Sequence, residues 1–200
     1  MHCIVAGVDE VGVGPIAGPV VAAAVILNPA KKIYKLRDSK ILSAKQREIL
    51  YKRIIENALY TAIGISSVEE IDKLNIFHAT MLAMQRAVCN LKIQPSVVLI
   101  DGRSKPPINI PMETIIGGDK TVKCISAASI IAKVTRDKIM SDYHEEFPLY
   151  CFNQHKGYST KQHQALVKMH GICSIHRNSF SFIKQCLAVT TNSLCNSSLK

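Results

Sequence analysis

The order of apolar segments predicts an α/β fold: a mixed sheet flanked by helices, closed by a short helical C-terminal extension. Three observations lead there. Short apolar runs rich in β-branched residues and alanine follow one another at 4–8, 20–27 and 59–65. Two longer segments, 76–91 with helical periodicity and 126–140, read as helices, with a wholly apolar stretch at 96–100 between them. Closely spaced strands favour an antiparallel meander at the start, and helical crossovers favour parallel pairing later.

Residues 4–8 read as a strand running into Asp9-Glu10, and Gly12-Val13-Gly14-Pro15 as a turn. The valine- and alanine-rich run 20–27 suits a buried strand, which Asn28-Pro29 ends. Ser43 is placed to cap a helix over 44–56. A third strand covers 59–65. In the helix at 76–91, Met81, Met84, Ala87, Val88 and Leu91 share a face, and Pro95 stops the pattern. The strand at 96–100 ends at Asp101, 102–111 is a loop, and 114–116 a short strand. The helix at 126–140 turns basic toward its far end, and 143–182 mixes short helices with loops rich in histidine, lysine and serine. Residues 1–182 are expected to form one domain. Residues 183–200 read as a tail, partly disordered, that is polar and small from Thr190.

Composition narrows the partners. A hydrophobic fraction of 48% supports a sizeable core, and 20% charged residues is too few for a disordered chain. Twenty-five Lys and Arg against fifteen Asp and Glu leave a net charge of +10, which suits a polyanionic partner. Seven cysteines stand singly with no Cys-x-x-Cys pair, so reduced thiols are a better reading than zinc or disulfides. The start carries no basic region, and 20–27, the longest apolar run, is too short to span a bilayer. The expectation is a soluble, cytoplasmic, monomeric protein.

Although acids are scarce, Asp9-Glu10, Asp101 and Asp119 sit where an apolar strand or turn stops. Carboxylates at strand ends can converge at one sheet edge, where cations must offset their repulsion. Two divalent ions about 3.5–4 Å apart can activate water against a phosphodiester. Each acid also has a plainer reading, as a turn, an Asx-turn or a loop residue.

The glycines at 12, 14 and 18 superficially suggest a dinucleotide-binding loop. Pro19 follows at once, however, and a strand replaces the required helix. A glycine turn beside carboxylates instead lets backbone amides approach a sugar or phosphate. Asp38-Ser39-Lys40 could hold a phosphate, or simply lead into a helix. His155-Lys156-Gly157-Tyr158-Ser159-Thr160 offers a cation, a ring and hydroxyls, or is an ordinary surface loop.

Read together and in order, these segments resemble the ribonuclease HII family. The matching stretches include Gly7-Val8-Asp9-Glu10-Val11-Gly12, Gly18-Pro19-Val20, Asp38-Ser39-Lys40, Ile71-Asp72 and Leu74-Asn75-Ile76. They continue through Ile100-Asp101-Gly102, Gly118-Asp119, Ser126-Ala127-Ala128-Ser129, His155-Lys156-Gly157-Tyr158 and His176-Arg177-Asn178-Ser179-Phe180, covering about residues 4–182. The resemblance implies a ribonuclease-H-like fold and an endoribonuclease acting on RNA–DNA hybrids and on ribonucleotides embedded in duplex DNA. It implies Asp9, Glu10, Asp101 and Asp119 as catalytic ligands of two ions, Mn²⁺ or Mg²⁺. It implies nucleic-acid contacts from Gly12, Val13, Gly14, Ser39, Lys40 and Tyr158, and cleavage 5′ of the ribonucleotide leaving 3′-hydroxyl and 5′-phosphate ends.

Asp137 reads either as support for the site or as a partner of Lys133 or Arg136. Ser126 and Ser129 read as helix-start and packing residues, and the seven histidines as surface or phosphate-neighbouring groups. One departure stands out. The family's turn usually reads Gly-Arg-Gly, and Gly12-Val13-Gly14 keeps its amides but loses the cation. Two rivals keep their place: another nuclease of the same fold, indifferent to ribose, and a basic binding module indifferent to loss of Asp9 or Asp101.

Overall fold

The computed structural model describes residues 3–36 and 42–188. Strands β1 (Val5–Val11), β2 (Val20–Ile26) and β3 (Tyr60–Ser66) form the expected antiparallel meander. Strand β4 (Val97–Asp101) lies parallel to β1, and β5 (Met112–Ile115) parallel to β4, so the sheet order is β3-β2-β1-β4-β5.

Helices cover both faces, and the side-chain alternation of the strands decides which face receives which residue. Val20, Ala22, Ala24 and Ile26 of β2, with Ala6, Val8, Val98 and Ile100, pack against helix α3 (Ile76–Cys89). The alternate residues Ala23 and Val25 pack against α1 (Ala44–Asn57) and α5 (Lys123–Glu146). Burial of each aliphatic side chain contributes about 1.5–3 kcal/mol. Gly7 lets α5 sit directly on β1: a Cβ there would lie 2.2 Å from the Cys124 carbonyl carbon.

Local signals set the helix starts. The Ser43 hydroxyl accepts from the Gln46 amide while the Gln46 side chain accepts from Ser43 N–H, starting α1. At Asn75, whose φ is +69°, the side-chain oxygen accepts from the Phe77 and His78 amides and starts α3.

Three helices differ from expectation. A seven-residue helix, α2 (Val68–Leu74), lies where the sequence reading has none; a Ser67/Glu70 capping box holds it. Helix α5 starts three residues before Ser126, because the short α4 (Gly118–Thr121) leads straight into it.

After α5, a 3₁₀ turn (Pro148–Tyr150), α6 (Phe152–His155), α7 (Lys161–His170) and helical residues 181–188 form a smaller module. Its core holds Phe152, Val167, Ile175 and Ile183 with Met140 of α5 and Ile16. Backbone bonds from Ile16 to Gly157 (2.9 Å), Gly18 to Ile175 (2.8 Å) and Arg177 to Ile16 (2.9 Å) stitch this module to the turn after β1. Asp72 of α2 accepts from the Asn178 and Ser179 amides at 2.9 and 2.8 Å and fixes its far end. Residues 183–188, expected to begin the tail, instead continue the last helical stretch with Ile183 buried, and 189–200 lie outside the described residues.

Candidate active site

The β1–β4 register pairs Val8 with Ile100, so the next residues along, Asp9 and Asp101, end up side by side. Both belong to the alternate set that faces α5, since Val8 and Ile100 face α3. Asp119 reaches the same spot from α4, after a left-handed residue at Gly117 (φ +68°). One carboxylate oxygen from each of the three lies within 4.8 Å of the others. Asp9 and Asp119 are buried, and Asp101 and the adjacent Glu10 are half-buried.

Hydrogen bonds lock this arrangement. Asp9 Oδ1 accepts from the Glu10 amide at 2.8 Å, and Asp101 Oδ1 from the Asp119 amide at 3.3 Å. The Ser126 hydroxyl donates to the Asp119 carbonyl at 2.5 Å. Burial first, then the charges of Glu10 and Asp101, hold the Asp9 carboxyl well above the usual carboxylate range. A hydrogen bond with the Ser129 side chain and the Glu10 amide pull it the other way. An all-oxygen donor set in which each further negative charge is disfavoured fits a hard divalent cation such as Mg²⁺ or Mn²⁺. Ser129, read from sequence as a packing residue, therefore also touches the acidic group. Ser126 lies within α5 rather than capping it.

Beyond Glu10 the chain enters the glycine turn. Gly12 is buried at φ +98°, while Val13 and Gly14 are exposed. Tyr158, exposed, lies close by: a Cβ on Gly14 would stand 3.9 Å from its ring. The acids, the turn and Tyr158 thus follow one another at one end of the sheet. Ser39 and Lys40, with Asp38, lie outside the described residues.

Several groups of the 155–160 loop are engaged inward. Lys156 Nζ donates to Ser141 Oγ (2.8 Å) and the Asp137 carbonyl (3.3 Å). Thr160 caps α7 by accepting from the His163 amide, and Ser159 Oγ accepts from Gln164 at 2.9 Å. Asp137 takes Lys133 Nζ at 2.8 Å, as the simpler sequence reading has it, but Arg136 turns into the protein.

The histidines correct the expectation of surface groups. His155, His163 and His176 are buried, and the His163 ring contacts both others, with His155 stacked on it at 4.1 Å between centroids. Carbonyl acceptors fix the tautomers. His155 Nε2–H donates to Tyr150 O (2.7 Å) and His163 Nδ1–H to Tyr158 O (2.9 Å). His176 Nε2–H donates to His163 Nε2 (3.1 Å), and its Nδ1 accepts from the Cys173 amide (2.9 Å). All three are neutral; burial lowers each, His163 and His176 to about 4. A histidine triad of this kind holds the Tyr158 backbone from behind.

A mixed sheet with carboxylates gathered at its parallel seam, beside a turn with exposed amides and a ring, defines a metal-dependent phosphodiesterase of the ribonuclease-H type. Comparison with known proteins narrows this. The model of the family "Ribonuclease HII" matches residues 6–183. The ribonuclease HII of Burkholderia ambifaria is 54% identical over 190 residues, 95% of this chain and 88% of that protein. That of Paraburkholderia xenovorans is 55% identical, covering 91% of this chain and 74% of that protein. Among solved structures, the ribonuclease H2 of Pyrococcus horikoshii matches with a TM-score of 0.75 at 25% identity, over 91% of this chain and 96% of that one. A Bst-RNase HIII in complex with Mn²⁺ shares the fold, with a TM-score of 0.67 at 18% identity, over 94% of this chain and 70% of that one.

The chain belongs to the ribonuclease HII family. It is a metal-dependent endonuclease that cleaves the RNA strand of RNA–DNA hybrids. No helix among the described residues is long and apolar enough to cross a membrane.

Proposed function

We propose that Asp9, Glu10, Asp101 and Asp119 hold two divalent cations, Mn²⁺ or Mg²⁺, when substrate is bound. The chain then cuts 5′ of a ribonucleotide, in a hybrid or isolated in duplex DNA, leaving 3′-hydroxyl and 5′-phosphate ends. The observation that carries this reading is the convergence of three carboxylates from β1, β4 and α4 within 4.8 Å. Bound there, divalent cations would lower the cost of activating water and stabilise the leaving oxygen of a phosphodiester.

The chain's own residues supply the rest. The carboxylates would hold the cations that draw the reacting phosphate in, and Ser129 and the Glu10 amide keep Asp9 in its rotamer. Gly12, Val13 and Gly14 bring backbone within reach of the ribose 2′-hydroxyl, the group that distinguishes RNA from DNA. Tyr158 packs against the sugar at the junction. Ser39 and Lys40 contact the nucleic-acid backbone, so affinity falls with salt. The free thiols among the described residues fit a reducing, cytoplasmic setting, in which the protein acts as a monomer.

The test is Mg²⁺- and Mn²⁺-dependent cleavage of a DNA duplex carrying one ribonucleotide, beside an all-DNA duplex and a long hybrid, with Asp101→Asn as control. A cut at the ribonucleotide that is absent from all-DNA and lost in the variant is expected. Well-folded protein that cuts none of them with either metal would sink the reading, and cleavage of all-DNA would favour a ribose-indifferent nuclease.

A further inference from the structure

Arg136 of α5 and Arg177, ahead of the last helical stretch, are fully buried. Among the described residues neither has a carboxylate within ion-pair distance. Each spends its fork on backbone carbonyls instead. Arg177 Nε, Nη1 and Nη2 donate to Gly18, Val13 and Gly12 at 2.9, 3.1 and 2.6 Å. Arg136 Nε, Nη1 and Nη2 donate to Pro19, Lys156 and Ala17 at 3.0, 2.9 and 3.1 Å.

Burying a cation without a counter-ion costs several kcal/mol even after relaxation. Desolvation lowers Arg136 to about 10 and Arg177 to about 9, where Arg136 also repels it, while Asp137 and Asp72 act the other way from a distance, so both stay charged at neutral pH. The glycines are cut to fit them. A Cβ at Gly12 would stand 2.3 Å from Arg136 Nε, and one at Gly157 would stand 2.4 Å from the Ala17 carbonyl.

Peptide geometry gives the arrangement a direction. No peptide bond here is cis, and across a trans peptide the N–H points opposite to the preceding C=O. With the Gly12 and Val13 carbonyls drawn inward by Arg177, the Val13 and Gly14 amides face outward. Neither amide has a backbone partner among the described residues, and both residues are exposed. Arg136, by holding Ala17 and Lys156 together, ties this turn to the loop that carries Tyr158.

We infer that Arg136 and Arg177 are positioning residues for substrate recognition: they draw the carbonyls of the glycine turn inward so that the Val13 and Gly14 amides face the sugar-phosphate strand beside Tyr158, with two positive charges behind them. An anion seated on those amides would face two cations that Asp137 and Asp72 offset only from beyond ion-pair distance. The turn that lacks a cationic side chain at Val13 thus keeps a cationic field from beneath. This rests on the proposed reading of the turn as a nucleic-acid contact.

The test compares wild type, Arg177→Met and Arg177→Lys on the duplex with one ribonucleotide, with thermal melts of each. Arg177→Met is expected to raise KM about ten-fold or more, the equivalent of one charge-assisted hydrogen bond, with kcat within about three-fold. Arg177→Lys, which keeps the charge but cannot span three carbonyls, is expected to fall between. A loss confined to the melting temperature, with KM unchanged, overturns the inference, as does a fall in kcat at constant KM. If Arg177→Met gives no cooperative melt, Arg177→Lys decides: a KM raised about three-fold supports the inference and an unchanged KM overturns it. Failure of wild type to cut would instead fault the function proposed above.

Discussion

Replacing His163 by glutamine tests whether the buried histidine triad makes the tyrosine loop sensitive to acid. The folded His163 sits at about 4, against an ordinary value of 6.5, because burial disfavours its charged form. The Tyr158 carbonyl opposes this, while His155, stacked on His163, and His176, which donates to its Nε2, act in the same direction as burial. Since the folded value is the lower one, the unfolded chain takes up the proton first. Stability is therefore full above pH about 6.5, is lost as pH falls toward about 4, and changes no further from this source below that. At pH about 5, one such group costs about 2 kcal/mol relative to pH about 7.5. Urea unfolding of wild type and His163→Gln at these two pH values reads the loss of this ring within the triad, because groups away from the triad, Asp9 included, titrate in both proteins. The glutamine amide can still donate to the Tyr158 carbonyl, but loses the ring stack, so lower stability is expected at both pH values. Its drop between them should be about 2 kcal/mol smaller than that of wild type. Parallel pH profiles would show that His163 does not fold as a neutral ring, and the tautomer assignment would fall with it.

Two other expectations concern the turn and the sheet. Val13→Arg should lower KM for the single-ribonucleotide duplex about ten- to a hundred-fold, the effect of one charge-assisted phosphate contact, because Val13 is exposed at the turn; an unchanged KM in steady-state kinetics would show that no phosphate passes the turn. Gly7→Ala should destabilise the fold by about 3 kcal/mol, since its Cβ would meet the backbone of α5 at Cys124 and Ile125; chemical unfolding with a loss below about 1 kcal/mol would contradict the packing of β1 on α5.

The acids at the seam were legible because strand alternation is local and exact in period. A strand carrying Val8-Asp9 beside one that ends Ile100-Asp101 places both carboxylates on one face once the two run parallel. Asp119 was legible as a candidate, though its convergence with the other two depends on α4, four residues long, which no periodicity announces. Helix α2 escaped because seven residues give too few turns for an apolar face to repeat. Its capping pair, Ser67 with Glu70, was the readable signal.

What stayed hidden is chemically different in kind. A lone arginine or histidine is the same letter whether solvated or buried, and its burial here depends on partners far along the chain. Arg136 bonds to Pro19 across 117 residues, and Arg177 to Gly12 across 165. The glycines were the indirect trace: Gly12, Gly18 and Gly157 all adopt positive φ, with Arg136 and Met140 side chains filling the space beside Gly12 and Gly18 and the Ala17 backbone that beside Gly157. The smaller module contributes no carboxylate to the acidic group, yet it holds the turn by Arg177 and the tyrosine loop by His163. On the proposed reading, recognition of the ribose depends on packing of the C-terminal module, while the carboxylates depend on the sheet and α4. Mutations in the two should accordingly separate KM from kcat.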